Sequence, residues 1–142
     1  MVHAENAKSN TRKARREMTE NEIATKVIGI SIELHKKLGP GLLESAYEHA
    51  LQYDLIEAGL KVERQVPMPF IYREVELEAG YKLDLLVESL VIIEIKSVEA
   101  LAPVHFAQLL TYLKLSNLKL GLLINFNTKL LKEGIHRVVN NL

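Results

Sequence analysis

Two carboxylates and a lysine stand close together in the stretch Tyr81–Ser97, YKLDLLVESLVIIEIKS. Side chains alternate faces along a strand, so Lys82, Asp84 and Leu86 share one face, as do Ile92, Glu94 and Lys96 on the next strand. The opposite faces carry Leu83, Leu85 and Val87, then Val91, Ile93 and Ile95. Pairing Val87 with Val91 across a short turn keeps these apolar side chains together and sets Asp84 opposite Glu94. A one-residue slip would mix the two sets, so burial itself selects the register. Carboxylates one strand apart repel unless a proton or cation lies between them. All-oxygen ligation suits a hard divalent ion, Mg²⁺ or Mn²⁺, which lowers the pKa of a bound water and stabilises charge on a phosphoryl oxygen. Lys96 beside it would orient that water or stabilise a pentavalent transition state. The plain alternative is a solvated strand face with a Lys82–Glu94 or Asp84–Lys96 cross-strand pair.

Glu44 falls in the first turn of a predicted helix, where a carboxylate complements the helix dipole; with Gly41 at the cap it reads as an N3 residue. Tyr47, Leu51 and Leu55 follow at helical spacing, so the same carboxylate also lines up with an inward stripe. There it needs a partner: a metal, its water or the Lys96 ammonium. His105, Gln108 and Tyr112 form a polar stripe on a later helix. Gln108 and Tyr112 either contact a phosphate, a base or Lys96, or lie on a solvent-facing edge; His105 is more readily structural than a ligand. No His-based zinc spacing, P-loop, Rossmann glycine pattern or GxSxG elbow is present.

Thr19-Glu20-Asn21-Glu22 is a capping box, and Ile23, Val27, Ile30 and Leu34 behind it predict a helix to about Leu38. Gly39-Pro40-Gly41 breaks it. A second helix is predicted from Leu42 to about Ala58, stopped by Gly59. Val62–Tyr72, with Pro67 and Pro69, predicts an edge strand or irregular extended segment. Short strands follow at Val75–Glu78, turning at Ala79-Gly80, then at Tyr81–Val87 and Leu90–Ser97. A third helix is predicted from Pro103 to about Leu115, its core face formed by Phe106, Leu109, Leu110 and Leu113. A buried strand at Lys119–Asn125 and a last one at Gly134–Val139 complete the pattern. The order predicts an α/β domain, a mixed sheet flanked by helices.

The chain has 142 residues, 18 Lys+Arg against 18 Asp+Glu, and no cysteine. This length suits one domain, and the absence of cysteine excludes disulfides, thiolate nucleophiles and Cys-ligated metals. Zero net charge excludes a binder that works by global charge alone. A local positive rim from Lys82, Lys96 or Arg12–Arg16 would be needed to hold nucleic acid. There is neither a membrane-length apolar run nor a signal-peptide pattern, so a cytoplasmic location is expected. Residues 1–17 read as a polar, basic extension and 18–142 as the single domain. The apolar excess around Leu120–Phe126 and the short last strand fit either a core or the edge of a homo-oligomer.

The stretch Gly41-Leu42-Leu43-Glu44-Ser45-Ala46-Tyr47 resembles the signature of the GxxExxY proteins, a branch of the PD-(D/E)xK nuclease-fold superfamily. The resemblance runs from about Met18 to the C-terminus and implies a restriction-endonuclease-like mixed sheet. It puts the superfamily's acidic strand position on Asp84 and its (D/E)xK pair on Glu94 and Lys96. It puts the helical glutamate on Glu44, a QxxxY motif on Gln108 and Tyr112, and a further metal ligand on the Ile95 carbonyl. Leu83 stands where the superfamily's proline would be. The implied activity is Mg²⁺- or Mn²⁺-dependent phosphodiester hydrolysis of nucleic acid, DNA ahead of RNA. The alternatives are a non-catalytic nucleic-acid- or protein-binding module of the same fold, and a hydrolase of nucleotides or another phosphoester.

Overall fold

The computed structural model of the chain describes residues 16–77 and 80–142. Helix α1 (Glu20–Leu38) starts on its capping box: the Thr19 hydroxyl accepts from the Glu22 N–H at 3.2 Å, and the Glu22 carboxylate accepts from the Thr19 N–H at 3.0 Å. Hydrogen bonds from the Arg16 guanidinium and from Thr19 pull the Glu22 carboxyl down to about 2. Gly39 ends the helix with φ +68, a left-handed value that glycine adopts without a Cβ clash. Helix α2 (Glu44–Glu57) begins two residues after the expected start, because Leu43 is extended and serves as its cap. Glu44 is therefore the first helical residue rather than the third.

The remaining elements are β1 (Val62–Pro67), β2 (Phe70–Tyr72), β3 (Val75–Leu77), β4 (Lys82–Val87), β5 (Val91–Lys96), α3 (Pro103–Ser116), β6 (Leu120–Asn125), a 3₁₀ turn (Leu131–Gly134) and β7 (Ile135–Val139). A five-stranded sheet runs in the order β1-β4-β5-β6-β7. Its pairs are antiparallel except β5–β6, which run parallel with α3 between them in the chain. Strands β2 and β3 form a separate hairpin. The proline-containing segment is thus split: Pro67 ends β1 at the sheet edge, and Pro69 lies between β1 and β2. Of the turn expected at Ala79-Gly80, Ala79 lies outside the described residues.

Helices α1 and α2 cover one face of the sheet, over Leu85, Val87, Ile93, Ile95, Leu122 and Ile124. Helix α3 covers the other, over Ile92 and Leu123. The result is a three-layer α/β/α domain. Gly121 on β6 permits close seating of α3: a Cβ there would lie 2.7 Å from Cδ1 of Leu109. Leu83 departs from the expected grouping and packs on the α3 side with Ile92. The pleat is interrupted beside it, where Gln65 on β1 takes φ +53 and forms no ladder pair with Asp84. Among the described residues, no helix is long and apolar enough to cross a membrane.

Candidate active site

Strands β4 and β5 pair Leu85 with Ile93, Leu86 with Ile92 and Val87 with Val91, the register that burial selects. Beyond Leu85 the ladder stops and a side chain takes over: Oδ2 of Asp84 accepts from the Ile95 N–H at 2.8 Å. Glu94 is only 5% exposed, since α3 lies over this face. The face is therefore dry at Ile92 and Glu94 but not at Lys82, which is exposed, and neither Lys82–Glu94 nor Asp84–Lys96 is an ion pair among the described residues. Oε1 of Glu94 is buried without a hydrogen-bond partner. Burial, the Asp84 charge and a hydrogen bond to Asp84 push the Glu94 carboxyl up to about 10, with Lys96 opposing the shift only in part. Lys96 is half-buried at the end of β5, and its carbonyl accepts from the Phe126 N–H at 2.9 Å.

The loop ahead of α2 is tied to that strand end. The Tyr47 hydroxyl donates to the Gly39 carbonyl at 2.5 Å and accepts from the Leu42 N–H at 3.1 Å. Its ring stacks on Phe126 with centroids 4.6 Å apart. Ser97 donates through Oγ to the Leu42 carbonyl at 2.7 Å and through its N–H to Oε1 of Glu44 at 3.3 Å. Tyr47 thus holds the loop, and the loop presents Glu44 to the residue after Lys96. The expectation that Glu44 points inward is corrected: Glu44 is exposed. At the first helical position it lies ahead of the packed turns.

The inward carboxylate of α2 is Glu48, 7% exposed. It pairs with Arg64 at 3.1 Å and accepts from the Gln65 amide at 2.7 Å. The same amide nitrogen reaches Oδ1 of Asp84 at 3.4 Å, so Gln65 bridges the two carboxylates. Sequence reading missed all three residues. Glu48 had a signal, since it precedes the buried Leu51 and Leu55 on one helical stripe. Gln65 had none, because a left-handed residue inside a strand leaves no trace in periodicity.

On α3, Tyr112 is 6% exposed and packs near Tyr81, ring centroids 6.0 Å apart. Burial first, then the charges of Glu94 and Asp84 with Tyr81, raise its phenol above the usual range. Gln108 is exposed one turn earlier, with no side-chain hydrogen bond among the described residues. His105 caps its own helix: Nδ1 accepts from the Ala102 N–H at 3.0 Å. The site therefore gathers Asp84, Glu94, Lys96 and Tyr112, with Glu44 on its rim and Gln108 exposed one turn before Tyr112.

A family profile described as the PD-(D/E)XK nuclease superfamily matches residues 21–138, from α1 through β7. The chain belongs to the PD-(D/E)XK nuclease superfamily. No curated protein and no solved structure matches it. The mixed sheet flanked by helices agrees with the restriction-endonuclease-like fold of that superfamily.

Nucleases of this superfamily usually use divalent metals, and the residues here fit one. The Glu94 oxygen without a hydrogen-bond partner, beside Asp84, is an oxygen donor set that a hard cation would satisfy. Among the described residues, no three His, Asp or Glu side chains converge as a metal-holding group. A cation would therefore rest on the Asp84–Glu94 pair, with water completing its shell, as Mg²⁺ ordinarily retains several waters.

Proposed function

We propose that this chain is a Mg²⁺- or Mn²⁺-dependent nuclease that hydrolyses phosphodiester bonds of nucleic acid, DNA ahead of RNA, in the cytoplasm. The observation that carries this reading is the buried Glu94, with its partnerless Oε1, beside the half-buried Asp84 and next to Lys96. Within the superfamily, the Gly41-x-x-Glu44-x-x-Tyr47 signature supports placement among the GxxExxY proteins.

Asp84 and Glu94 hold the cation in this reading, with the Ile95 carbonyl as a further ligand. The bound cation supplies a lowered pKa for water and neutralises charge on the phosphoryl oxygens. Lys96 orients the attacking water or meets the charge that builds on the phosphorus centre. Glu44, already hydrogen-bonded beside Lys96 through Ser97, would complete the shell of the cation, directly or through water. Tyr112, packed near both carboxylates, orders Lys96 or a substrate oxygen, and the exposed Gln108 contacts substrate.

Cleavage of single- and double-stranded DNA and RNA, with and without Mn²⁺, tests the reading. The Asp84→Ala protein is expected to lose at least about 10²–10³-fold in rate, the scale of removing one group that stabilises transition-state charge. Asp84→Asn, which keeps an acceptor for the Ile95 N–H, is expected to lose a similar amount while staying folded. Equal activity in parent and variants overturns the assignment. A second reading is a non-catalytic binding module on the same cleft, since among the described residues no three His, Asp or Glu side chains converge. Titration with Mn²⁺ separates the two: a site abolished by Glu94→Gln belongs to the enzyme, and no binding at millimolar metal belongs to the module.

A further inference from the structure

A cavity of about 460 Å³ opens beside the Gly39–Glu44 loop. Its rim carries Lys36, Lys129 and Lys132, and its walls include His35, Gly39 and Pro40, with no carboxylate among the lining residues. The comparable cavity at the opposite end of the sheet mixes Arg16 and Lys61 with Glu17 and Glu88. A third, along α1, mixes Lys26 and Lys37 with Glu33 and Asp54. In a chain with zero net charge, the unbalanced lysine rim is a local positive surface. Lys36 is paired with Glu33 at 3.1 Å, both side chains 67% exposed, which leaves that ammonium largely solvated and open to exchange of partners. Lys129 and Lys132 are exposed.

The groove lies at the catalytic end of the sheet. Strands β5 and β6 are parallel, so Lys96 and Asn125 end side by side, and the chain from Phe126 onward leads to Lys129. Phe126 joins the two places. Its N–H donates to the Lys96 carbonyl, its carbonyl meets Nε2 of His35 at 3.1 Å, and its ring stacks on Tyr47. The Gly39 wall of the groove accepts from the Tyr47 hydroxyl that also fixes the Glu44 loop. The groove and the end of β5 that carries Lys96 thus share Phe126 and Tyr47 as common supports.

We infer that the Lys36–Lys129–Lys132 groove binds the phosphodiester backbone of the nucleic-acid strand entering the candidate active site. The inference rests on the nuclease reading for its substrate. The groove supplies sequence-independent phosphate contacts, which set affinity and salt dependence rather than chemistry.

Fluorescence anisotropy of labelled oligonucleotides with the full chain carrying Asp84→Asn measures this, titrated over about 50–200 mM salt. Adding Lys36→Ala, Lys129→Ala and Lys132→Ala together is expected to reduce the slope of log affinity against log salt by about 2–3, the release expected of three phosphate contacts. Affinity at low salt is expected to fall by at least tenfold. A control removes equal charge at the far end of the sheet: Lys61→Ala, Lys114→Ala and Lys119→Ala are expected to leave the slope unchanged. An unchanged slope in the groove variant, or equal losses in both triple variants, overturns the groove. The otherwise native protein, assayed for Mn²⁺-dependent cleavage of the same oligonucleotides, keeps the two ideas apart. Cleavage with an unaltered groove slope removes the groove and spares the nuclease. Loss of binding in the groove variant without any cleavage by the native site supports the groove and removes the nuclease.

Discussion

Glu94 is the residue on which the chemistry and the stability of the domain meet. Its carboxyl is buried beside Asp84 and sits at about 10 in the fold, against an ordinary 4.5. Between those values the folded state holds more protons than the unfolded state, so stability is fully present below about 4.5 and declines as pH rises toward 10. Glu94→Gln removes the titration while keeping a donor toward Asp84. Metal-free protein with this change is expected to gain about 1–3 kcal/mol at alkaline pH and little at acid pH. Thermal unfolding across pH measures this; parallel curves for the two proteins would contradict it. Added Mn²⁺ is expected to stabilise the parent at alkaline pH, where it satisfies the partnerless oxygen, and not the variant. Gln65 gives a second test at this scale. Its φ of +53 is a conformation glycine adopts freely, so Gln65→Gly keeps the backbone and removes only the bridge from Glu48 to Asp84. Mn²⁺ affinity is expected to fall about tenfold, the lower end of what a group orienting a ligand contributes, with the melting temperature little changed. Calorimetric titration showing native affinity would make Gln65 merely structural.

Among the elements, α2 and α3 act on the site from opposite faces of the sheet. The loop before α2 is held by the Tyr47 hydroxyl, which closes two hydrogen bonds in a buried setting. Tyr47→Phe keeps the stack on Phe126 and leaves the Leu42 N–H and Gly39 carbonyl without that partner. It is expected to cost about 1–3 kcal/mol, read from urea unfolding, and to loosen the loop that presents Glu44. On the other face, α3 buries Glu94 because Gly121 lets Leu109 approach β6. Leu109 is fully buried. Gly121→Val is expected to cost about 1–3 kcal/mol through overpacking and to lift α3 from the strand pair. Glu94 would then become better hydrated, and the alkaline loss of stability described for the parent would weaken. Unchanged stability in this variant would contradict the close seating of α3.

For the whole molecule, both apolar clusters share the same sheet: Ile93 and Leu122 face α1 and α2, while Ile92 and Leu123 face α3. Neither layer of helices can leave without exposing one side of β5 and β6. A single cooperative transition is therefore expected, with far-ultraviolet circular dichroism and tyrosine fluorescence tracing the same urea curve. Two separate midpoints would show that the faces unfold independently. Balanced net charge also gains a spatial meaning. The cavities along the outside of α1 and at the hairpin end mix both signs, while the lining of the groove at the catalytic end has three lysines and no carboxylate.

Local patterning was enough to determine the order of the three helices and the strands of the main sheet, the Thr19 cap and the β4–β5 register. Each depends on neighbours along the chain or on one pair of alternating faces: Val87 and Val91 can be buried together in only one register. Asp84, Glu94 and Lys96 were legible for the same reason, since strand alternation puts them on adjoining edges. Whether that face is wet or dry was not. Glu94 is buried because α3, encoded after the hairpin, folds back over it, and no local period records which face of a sheet a later helix covers. Tertiary packing likewise turned Glu48 inward and Glu44 outward, and brought Gln65 against Asp84. It also set Lys36 beside Lys129 and Lys132. Charge and hydrogen-bond partners act through space over a few ångströms, whereas periodicity reports only direction from the backbone.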